Sequence, residues 1–276
     1  MNVAVKIKSG AELRRLARSG EFTDQTAGQA PDHLQANVVI LALKHAGDFL
    51  QYCLNNPKPC PLIGLSRPGE TGIAGLGTDI DIRKDIPRYR IYRDGVLSGH
   101  ADDITELWSD DLVTFVLGCS FTFEEALIRA GFGVRHIEQR RNVPMFKTGM
   151  QTMPGGVFHG PLVVTMRPYR ADLIPSVFDL CAKYPHAHGT PVFWGNPADI
   201  GIADLQSPDY GDPVDLRPGE VPVFWACGVT PQAAIEAAKP SICITHAPGH
   251  MLVTDVMSDA PPKIDIGMAD LQIERP

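Results

Sequence analysis

The Cys119–Ser120 pair lies where chemistry is expected, between the apolar run 112–117 and a predicted helix. A helix N-terminus presents unpaired backbone N–H groups. We therefore predict that this turn cradles an oxyanion, with the Ser120 hydroxyl as a further donor and Glu124 close enough to shuttle a proton. As a nucleophile, Cys119 would need a pKa lowered by the helix dipole. The structural alternative makes Ser120 a helix cap and Cys119 a small apolar filler.

Two histidines, His246 and His250, flank a Pro-Gly turn in the segment ITHAPGHMLVTD. Histidine titrates nearest to neutral pH, so both are predicted to transfer protons, and His188 is a further candidate. The Pro-Gly turn excludes a helical pair of zinc ligands. No cofactor is predicted. A divalent metal held by His246 and His250 through a loop, with Asp255 orienting one of them, is the alternative.

Basic side chains near predicted strand and helix ends are candidates for anion binding. Arg88 and Arg90 lie two residues apart on a predicted strand, so they share one face and can clamp a carboxylate. That strand precedes Asp94-Gly95, a typical hairpin turn. The alternative for both arginines is a solvated hairpin face. The full predicted set for substrate binding is Arg88, Arg90, Arg140, Arg141, Lys147, Arg167, Asn196, Cys227 and Thr230.

The elements that must position these side chains predict an α/β protein. Apolar strand patterns followed by helix patterns occur at 112–131, 190–205 and 221–239. Such strands are typical of a sheet that is covered on both faces, with ligands bound beyond the strand ends. The fold prediction is therefore a mixed, largely buried sheet with flanking helices and an N-terminal helical segment.

Two helices are predicted before residue 60. The capping box Ser9-x-x-Glu12, followed by Gly20 as a stop signal, predicts a short helix. Apolar residues at helical spacing predict one long helix from Pro31 to about Asn55. Residues 1–60 are thus assigned to a helical segment packed on the main domain, and residues 61–276 to the α/β catalytic domain.

Composition excludes several classes of protein. The formal net charge of −7 argues against nucleic acid as a partner, since phosphate binding needs a basic surface. No apolar stretch is long enough to span a membrane. Six cysteines without a CxxC pair favour reduced thiols and a cytoplasmic protein. A homodimer is the default expectation for an enzyme of this kind.

Seven segments together resemble the D-glutamate cyclase family. They are DIRKDIPRYRIYRDG, FVLGCSFTFEEAL, RNVPMFKT, GPLVVTMRP, HGTPVFWGNPADIGI, VPVFWACGVTPQ and ITHAPGHMLVTD, in order along nearly the whole chain. The resemblance implies a lyase, specifically a hydro-lyase of D-amino acid metabolism. The implied reaction is dehydrative cyclisation of D-glutamate to 5-oxo-D-proline, the reverse hydration, or both.

That reaction matches the predicted site residues. Arginines would hold the substrate's carboxylates, and a histidine would take the ammonium proton and return it to the leaving oxygen. The expected substrate is therefore a small dicarboxylate or a lactam. Two alternatives stay open: a metal-assisted hydrolase or hydratase of another small carboxylate or lactam, and a non-catalytic sensor of such a metabolite.

Overall fold

The computed structural model describes residues 7–260. Residues 1–6 and 261–276, which the predicted domain boundaries include, lie outside the described residues. Within the described range the helices are α1 (Gly10–Arg18), α2 (Leu43–Asn55), α3 (Phe121–Arg129), α4 (Arg135–Glu138), α5 (Ile174–Cys181) and α6 (Thr230–Ala238). The strands are β1 (His33–Ala42), β2 (Leu62–Leu65), β3 (Tyr89–Arg93), β4 (Val96–Ala101), β5 (Leu112–Gly118), β6 (Met145–Gln151), β7 (Pro161–Arg170), β8 (Phe193–Trp194), β9 (Glu220–Ala226), β10 (Cys243–His246) and β11 (Leu252–Met257).

The strands form two sheets. The larger sheet has the order β2-β5-β1-β10-β3-β4, with β11 also paired to β1. The smaller sheet has the order β6-β7-β9-β8. The pairings in both sheets are antiparallel. The α/β class and the N-terminal helix are confirmed, and the predicted sheet is divided into two.

The predicted long helix over residues 31–55 is wrong in its first half. Residues 33–42 form β1, which pairs with β5 on one side and with β10 and β11 on the other. Only α2 is helical, and it follows β1 directly. The run from Val38 to Ala42 is buried on both faces of the sheet, so its apolar residues fit a strand as well as a helix. Residues 33–42 are therefore part of the main sheet.

Helix α1 begins as its capping box predicts. The Glu12 N–H donates to the Ser9 hydroxyl at 3.2 Å, and the Lys8 N–H donates to the Glu12 carboxylate at 3.0 Å. The helix packs on β11, where the fully buried Arg14 donates to the Val253 carbonyl and to the Asp255 carboxylate. These contacts attach the N-terminal segment to the sheet.

The strand–turn–helix units are confirmed at two of the three predicted places. Strand β5 leads into α3, and β9 leads into α6. The unit at 190–205 contains only the two-residue strand β8 and a single 3-10 turn at Pro197–Ile200. The hairpin β3–β4 turns at Asp94 and Gly95, both with positive φ, as the sequence predicts.

The described residues include no helix with the length and apolar character needed to cross a membrane.

Candidate active site

A partly enclosed hollow with about 300 Å³ of space, some of it open to solvent, lies between the two sheets. Strands of both sheets, and the turns that follow β5, β9 and β10, contribute to its wall. The lining residues are Asn37, Cys119, Ser120, Phe121, Val143, Met145, Thr165, His188, Cys227, Gly228, Val229, His246, Gly249 and Met251. Three of the turns predicted to carry chemistry therefore meet at one hollow, which we call the inner cavity.

The Cys119–Ser120 turn forms one side of the inner cavity. The Cys119 N–H donates to the Gln35 carbonyl at 3.1 Å, so it is not available for an oxyanion. Ser120 makes no side-chain cap to α3. Instead its Oγ accepts a hydrogen bond from the Arg167 guanidinium at 2.9 Å, which leaves the Ser120 proton to donate elsewhere. The serine hydroxyl is thus the polar group that this turn presents to the cavity.

Arg167 lies behind the cavity wall in a network of buried partners. Its Nη2 contacts Glu124 Oε1 at 2.5 Å, and its Nη1 donates to Thr165 Oγ1 at 3.1 Å. The guanidinium carbon lies 5.5 Å and 5.2 Å from the ring centres of Phe123 and Trp225, which is a cation–π distance. Arg167 is therefore held from every side by the protein.

The charge of Arg167 is balanced by Glu124. Burial raises the pKa of Glu124, but the nearby His136 and Arg167 outweigh burial and hold the pKa of this carboxyl below its ordinary value. Burial lowers the pKa of Arg167, and the Glu124 carboxylate more than offsets that effect. The result is an ion pair whose members are only 1% and 2% exposed. The pair positions Ser120 without adding net charge to the site.

His246 lines the cavity from the end of β10. The Val38 N–H donates to its Nδ1 at 3.1 Å, while the Val38 carbonyl lies 3.3 Å from the same nitrogen. We assign Nδ1 as the acceptor because the Val38 N–H is the closer of the two groups, and with this assignment the proton lies on Nε2. That Nε2 has no hydrogen-bond partner among residues 7–260. Burial lowers the pKa of His246 to about 4, so the ring is neutral near pH 7.

His188 lines the same cavity with the opposite tautomer. Its Nδ1 lies 2.7 Å from the Lys58 carbonyl, which can only accept, so Nδ1 carries the proton and Nε2 has a free lone pair. Burial lowers the pKa of His188 to about 4 as well. The inner cavity thus contains two neutral histidines, one of which can donate and the other accept.

A second hollow, which we call the outer cleft, adjoins the inner cavity. It has about 720 Å³ of open space and is lined by Arg88, Arg90, His100, Asn142, Asp209, Tyr210, Gly211, Ala247, Pro248 and His250. The segment 246–251 lines both hollows: residues 246, 249 and 251 line the inner cavity, and residues 247, 248 and 250 line the outer cleft. In the wall between the two hollows, Gly249 packs against Asn142. A Cβ atom added to Gly249 would lie only 3.0 Å from Asn142 Nδ2.

Known proteins with similar sequences support one family. A family model described as D-glutamate cyclase matches residues 113–255. A protein of Bordetella petrii named "Putative hydro-lyase" is 56% identical over 88% of this chain and 92% of its own length. One of the same name from Jannaschia is 56% identical over 91% of this chain and 94% of its own. A third, from Ruegeria pomeroyi, is 56% identical over 93% of each.

The chain belongs to the D-glutamate cyclase family. Membership confirms the predicted enzyme class, a lyase. Among solved structures, a nitrogen repressor-like protein from Methanococcus jannaschii covers 86% of this chain and 92% of its own, at 11% identity and a TM-score of 0.34. That similarity is too low to support an argument about fold.

Within this D-glutamate cyclase family member, the predicted site residues divide into four groups. Cys119, Ser120, Cys227 and His246 line the inner cavity, and Arg88, Arg90 and His250 line the outer cleft. Glu124 and Arg167 lie behind the cavity wall, bound to each other. The remaining predicted residues, which line neither hollow, are Arg140, Arg141, Lys147, Asn196 and Thr230.

The residues outside both hollows have other contacts. Thr230, predicted to bind substrate, is the first residue of α6, and its hydroxyl bonds the backbone of Val163. Arg141 donates to the Pro213 carbonyl, and Lys147 pairs with Glu236 at 3.2 Å. Asn196 accepts from the Ala198 N–H at 3.3 Å and so caps a surface 3-10 turn.

The Cys119 thiol does not have the lowered pKa that a nucleophilic role would need. Burial raises the pKa of this thiol well above its ordinary value, and the same cause raises that of Cys227 to about 11. Both thiols are therefore protonated at neutral pH. In this D-glutamate cyclase family member, the thiols belong to the apolar part of the cavity wall. The hydroxyl and imidazole groups form its polar part.

The two histidines of the alternative metal site line different hollows. His246 faces the inner cavity, whereas His250 lines the outer cleft and holds its Nδ1 3.0 Å from the Pro248 carbonyl. Within residues 7–260, no three His, Cys, Asp or Glu side chains converge as a ligand set. Sequence reasoning missed Asn37 and Thr165, whose positions in the middle of strands gave no signal of a site.

Proposed function

We propose that this protein catalyses the dehydrative ring closure of D-glutamate to 5-oxo-D-proline, together with the reverse hydration. The observation that supports this reaction is the pair of different hollows on either side of the wall that contains Asn142 and Gly249. One is a partly enclosed cavity with uncharged donors and acceptors, and the other is an open cleft with two arginines that form no ion pair among residues 7–260. A substrate with one spectator carboxylate and one reacting carboxyl group matches that division.

The outer cleft suits the carboxylate that does not react. Arg88 is exposed and Arg90 is half-buried, and both line the cleft from the same face of the β3 segment. Arg90 donates only one hydrogen bond, to Gln232 at 3.2 Å, and its Nε has no partner among the described residues. Its remaining donors are free to form charge-assisted bonds with a carboxylate.

The inner cavity suits the carboxyl group that reacts. Arg167 is neutralised by Glu124, so no unpaired cation faces a carboxylate that enters. Transfer of an unpaired carboxylate from water into such a site is unfavourable, whereas the lactam product is neutral at the corresponding position. Ser120 Oγ and His246 Nε2 provide donors for the oxyanion that develops on the way. The cavity therefore favours conversion of the substrate's side-chain carboxylate into the neutral lactam carbonyl.

The size of the inner cavity limits what can enter it. The space that a water-sized sphere can occupy there is about 20 Å³, so its walls must move apart to admit a substrate side chain. A five-carbon amino acid that has its α-carboxylate in the cleft requires space in the cavity only for its side chain and nitrogen.

The test is direct turnover with the four isomers. Purified protein is incubated separately with D-glutamate, L-glutamate, 5-oxo-D-proline and 5-oxo-L-proline, with and without chelator, and products are separated by chiral chromatography. We expect conversion of the D isomers only, and we expect it to persist with chelator because His246 and His250 line different hollows. Binding of 5-oxoproline without any turnover at high enzyme concentration would favour a metabolite sensor instead.

A further inference from the structure

His188 has a backbone conformation that is uncommon for residues other than glycine, although histidine, like asparagine, adopts it more often than most. His188 follows the 3-10 turn Pro185–Ala187 and has φ +75°, in the left-handed region. Residues other than glycine reach this region at a cost, which the surrounding structure must offset. Two backbone hydrogen bonds to the Tyr184 carbonyl, from Ala187 and Gly189, fix the turn on either side of His188.

This turn is packed directly against the Cys119–Ser120 turn. Gly118 approaches the His186 carbonyl so closely that a Cβ at this position would overlap the oxygen. On its other side, the Lys58 segment binds the turn twice, through its carbonyl to His188 and through Nζ to Thr190. The imidazole of His188 is thereby placed in the wall of the inner cavity, with 1% of the residue exposed.

The hydrogen bond to Lys58 also decides what His188 can do. A backbone carbonyl has no proton to give, so Nδ1 is the protonated nitrogen and Nε2 is the basic one. Within residues 7–260, the His188 ring hydrogen-bonds through Nδ1 alone, and Nε2 makes no hydrogen bond. The inner cavity therefore has one preformed proton acceptor, and the backbone strain at His188 is a feature typical of functional sites.

We propose that His188 is the general base of the ring closure, with Nε2 accepting the proton of the substrate's ammonium group. The proposal rests on the proposed function, because only an amine substrate brings such a proton to the cavity. The opposite tautomer of His246 supplies a donor in the same cavity, so the two histidines have different roles.

The atoms balance without any co-reactant. The ammonium nitrogen loses one proton to His188 Nε2 as it forms its bond to the side-chain carboxyl carbon. Because burial lowers the pKa of His188 to about 4, the imidazolium holds this proton only briefly. The carbon–oxygen bond then breaks, and the imidazolium returns its proton to the departing oxygen. A second proton passes from the nitrogen to that oxygen by the same route, so the oxygen leaves as water. His188 is neutral again at the end of the cycle.

The substitution His188→Asn separates the catalytic role from the structural one. Asparagine tolerates positive φ, and its side-chain amide can donate to the Lys58 carbonyl as Nδ1 does. It has no atom equivalent to Nε2. The matched control is His186→Asn, two residues earlier, where the side chain is half-buried, bonds the Ser258 carbonyl and lines neither hollow.

We expect H188N to lower kcat for D-glutamate by about 10²- to 10⁴-fold, the usual range for a lost general base, with KM changed less than about threefold. H186N is expected to retain wild-type kcat and KM. Retention of wild-type kcat by H188N, with wild-type turnover present, would overturn the role of His188 and leave the proposed function intact. Absence of turnover in the wild type would overturn both.

A second measurement does not depend on activity or on the folding of a variant. In wild-type protein labelled with ¹⁵N-histidine, the Nε2 signal of His188 is expected at the unprotonated position at pH 7. Addition of 5-oxo-D-proline, whose lactam N–H can donate to Nε2, is expected to shift that signal. A protonated Nε2 in the free protein, or an unshifted signal at saturating ligand, would refute the proposal.

Discussion

The pair Glu124–Arg167 provides the sharpest test of how the site is held together. The substitution Glu124→Gln keeps the size of the side chain but removes its charge. Arg167 would then be a buried cation without a counter-ion, although it would keep its hydrogen bonds to Ser120 and Thr165. His136, which lies 3.2 Å from the Glu124 carboxylate, would lose its acidic neighbour as well.

The expected cost is large because both partners are buried. Loss of one member of a buried ion pair usually costs about 3–5 kcal/mol, since the other charge is left uncompensated. The rings of Phe123 and Trp225 still contact the guanidinium, so we expect a value near the lower limit, about 3 kcal/mol. The control is Glu125→Gln. That side chain is 28% exposed and pairs with Arg129 at 3.4 Å, so it should cost under about 1 kcal/mol.

The measurement is the free energy of unfolding from urea titrations, with a double-mutant cycle that adds Arg167→Met to Glu124→Gln. We expect the loss of unfolding free energy in the double variant to be smaller than the sum of the losses in the two single variants. The difference should be at least about 2 kcal/mol, because removal of both charges leaves none unpaired. Costs below about 1 kcal/mol for each single variant, with additive effects, would show that the buried pair does not hold Ser120 in place.

The difference in unfolding free energy between the wild type and the Glu124→Gln variant should change with pH in a definite direction. The pKa of Glu124 in the folded protein lies below its ordinary value of 4.5. Its contribution to stability is therefore fully present above pH 4.5 and is lost as the pH falls through the folded-state pKa. We expect the stability difference between the wild type and the Glu124→Gln variant to be constant from pH 7 to 5 and to shrink below pH 4.5. A difference that grows in acid would contradict an ionised Glu124.

Three further results are expected. Lysine in place of Arg88 or Arg90 should raise KM for D-glutamate about tenfold with little change in kcat, because the forked geometry is lost; unchanged kinetics for both would remove the cleft from the site. Cys119→Ala should keep most of the wild-type kcat, since burial keeps the thiol protonated; complete loss with an intact fold would mean that the thiol reacts. The acid limb of kcat/KM should lie near pH 4, because burial lowers the pKa of both His188 and His246 to about that value; an acid limb near 6.5 would place an ordinary, solvated histidine in the reaction.

Local signals in the sequence were sufficient for the elements whose ends have distinctive residues. The capping box of α1, the Asp94-Gly95 hairpin and the β5–α3 junction all lie where their residues predict. Strand β1 could not be recognised in the same way. Its apolar residues are buried on both faces, so they show no alternation, and they also satisfy a helical spacing. Its neighbours β5, β10 and β11, which are distant in sequence, decide its conformation.

For the site as well, the sequence predicts where some side chains lie but not what they contact. The sequence located the Cys119–Ser120 turn and His246, because polar residues at the end of an apolar strand are unusual. It could not show that Arg167 points to Glu124, since that contact depends on how α3 packs against β7. His188 was one of several histidines until its backbone angle and its bond to Lys58 became visible. Tertiary contacts therefore assign the roles that residue types leave open.

The position of β1 affects how the chain folds during synthesis. Val39 pairs with Phe115 on one side and with Thr245 on the other, so one edge of this strand has no partner until some 200 further residues have been made. At translation rates of about 5–20 residues per second, that interval is roughly 10–40 seconds. An apolar strand with an open edge is prone to wrong pairing during such a delay. The nascent chain should therefore depend on chaperones until its last strands emerge from the ribosome.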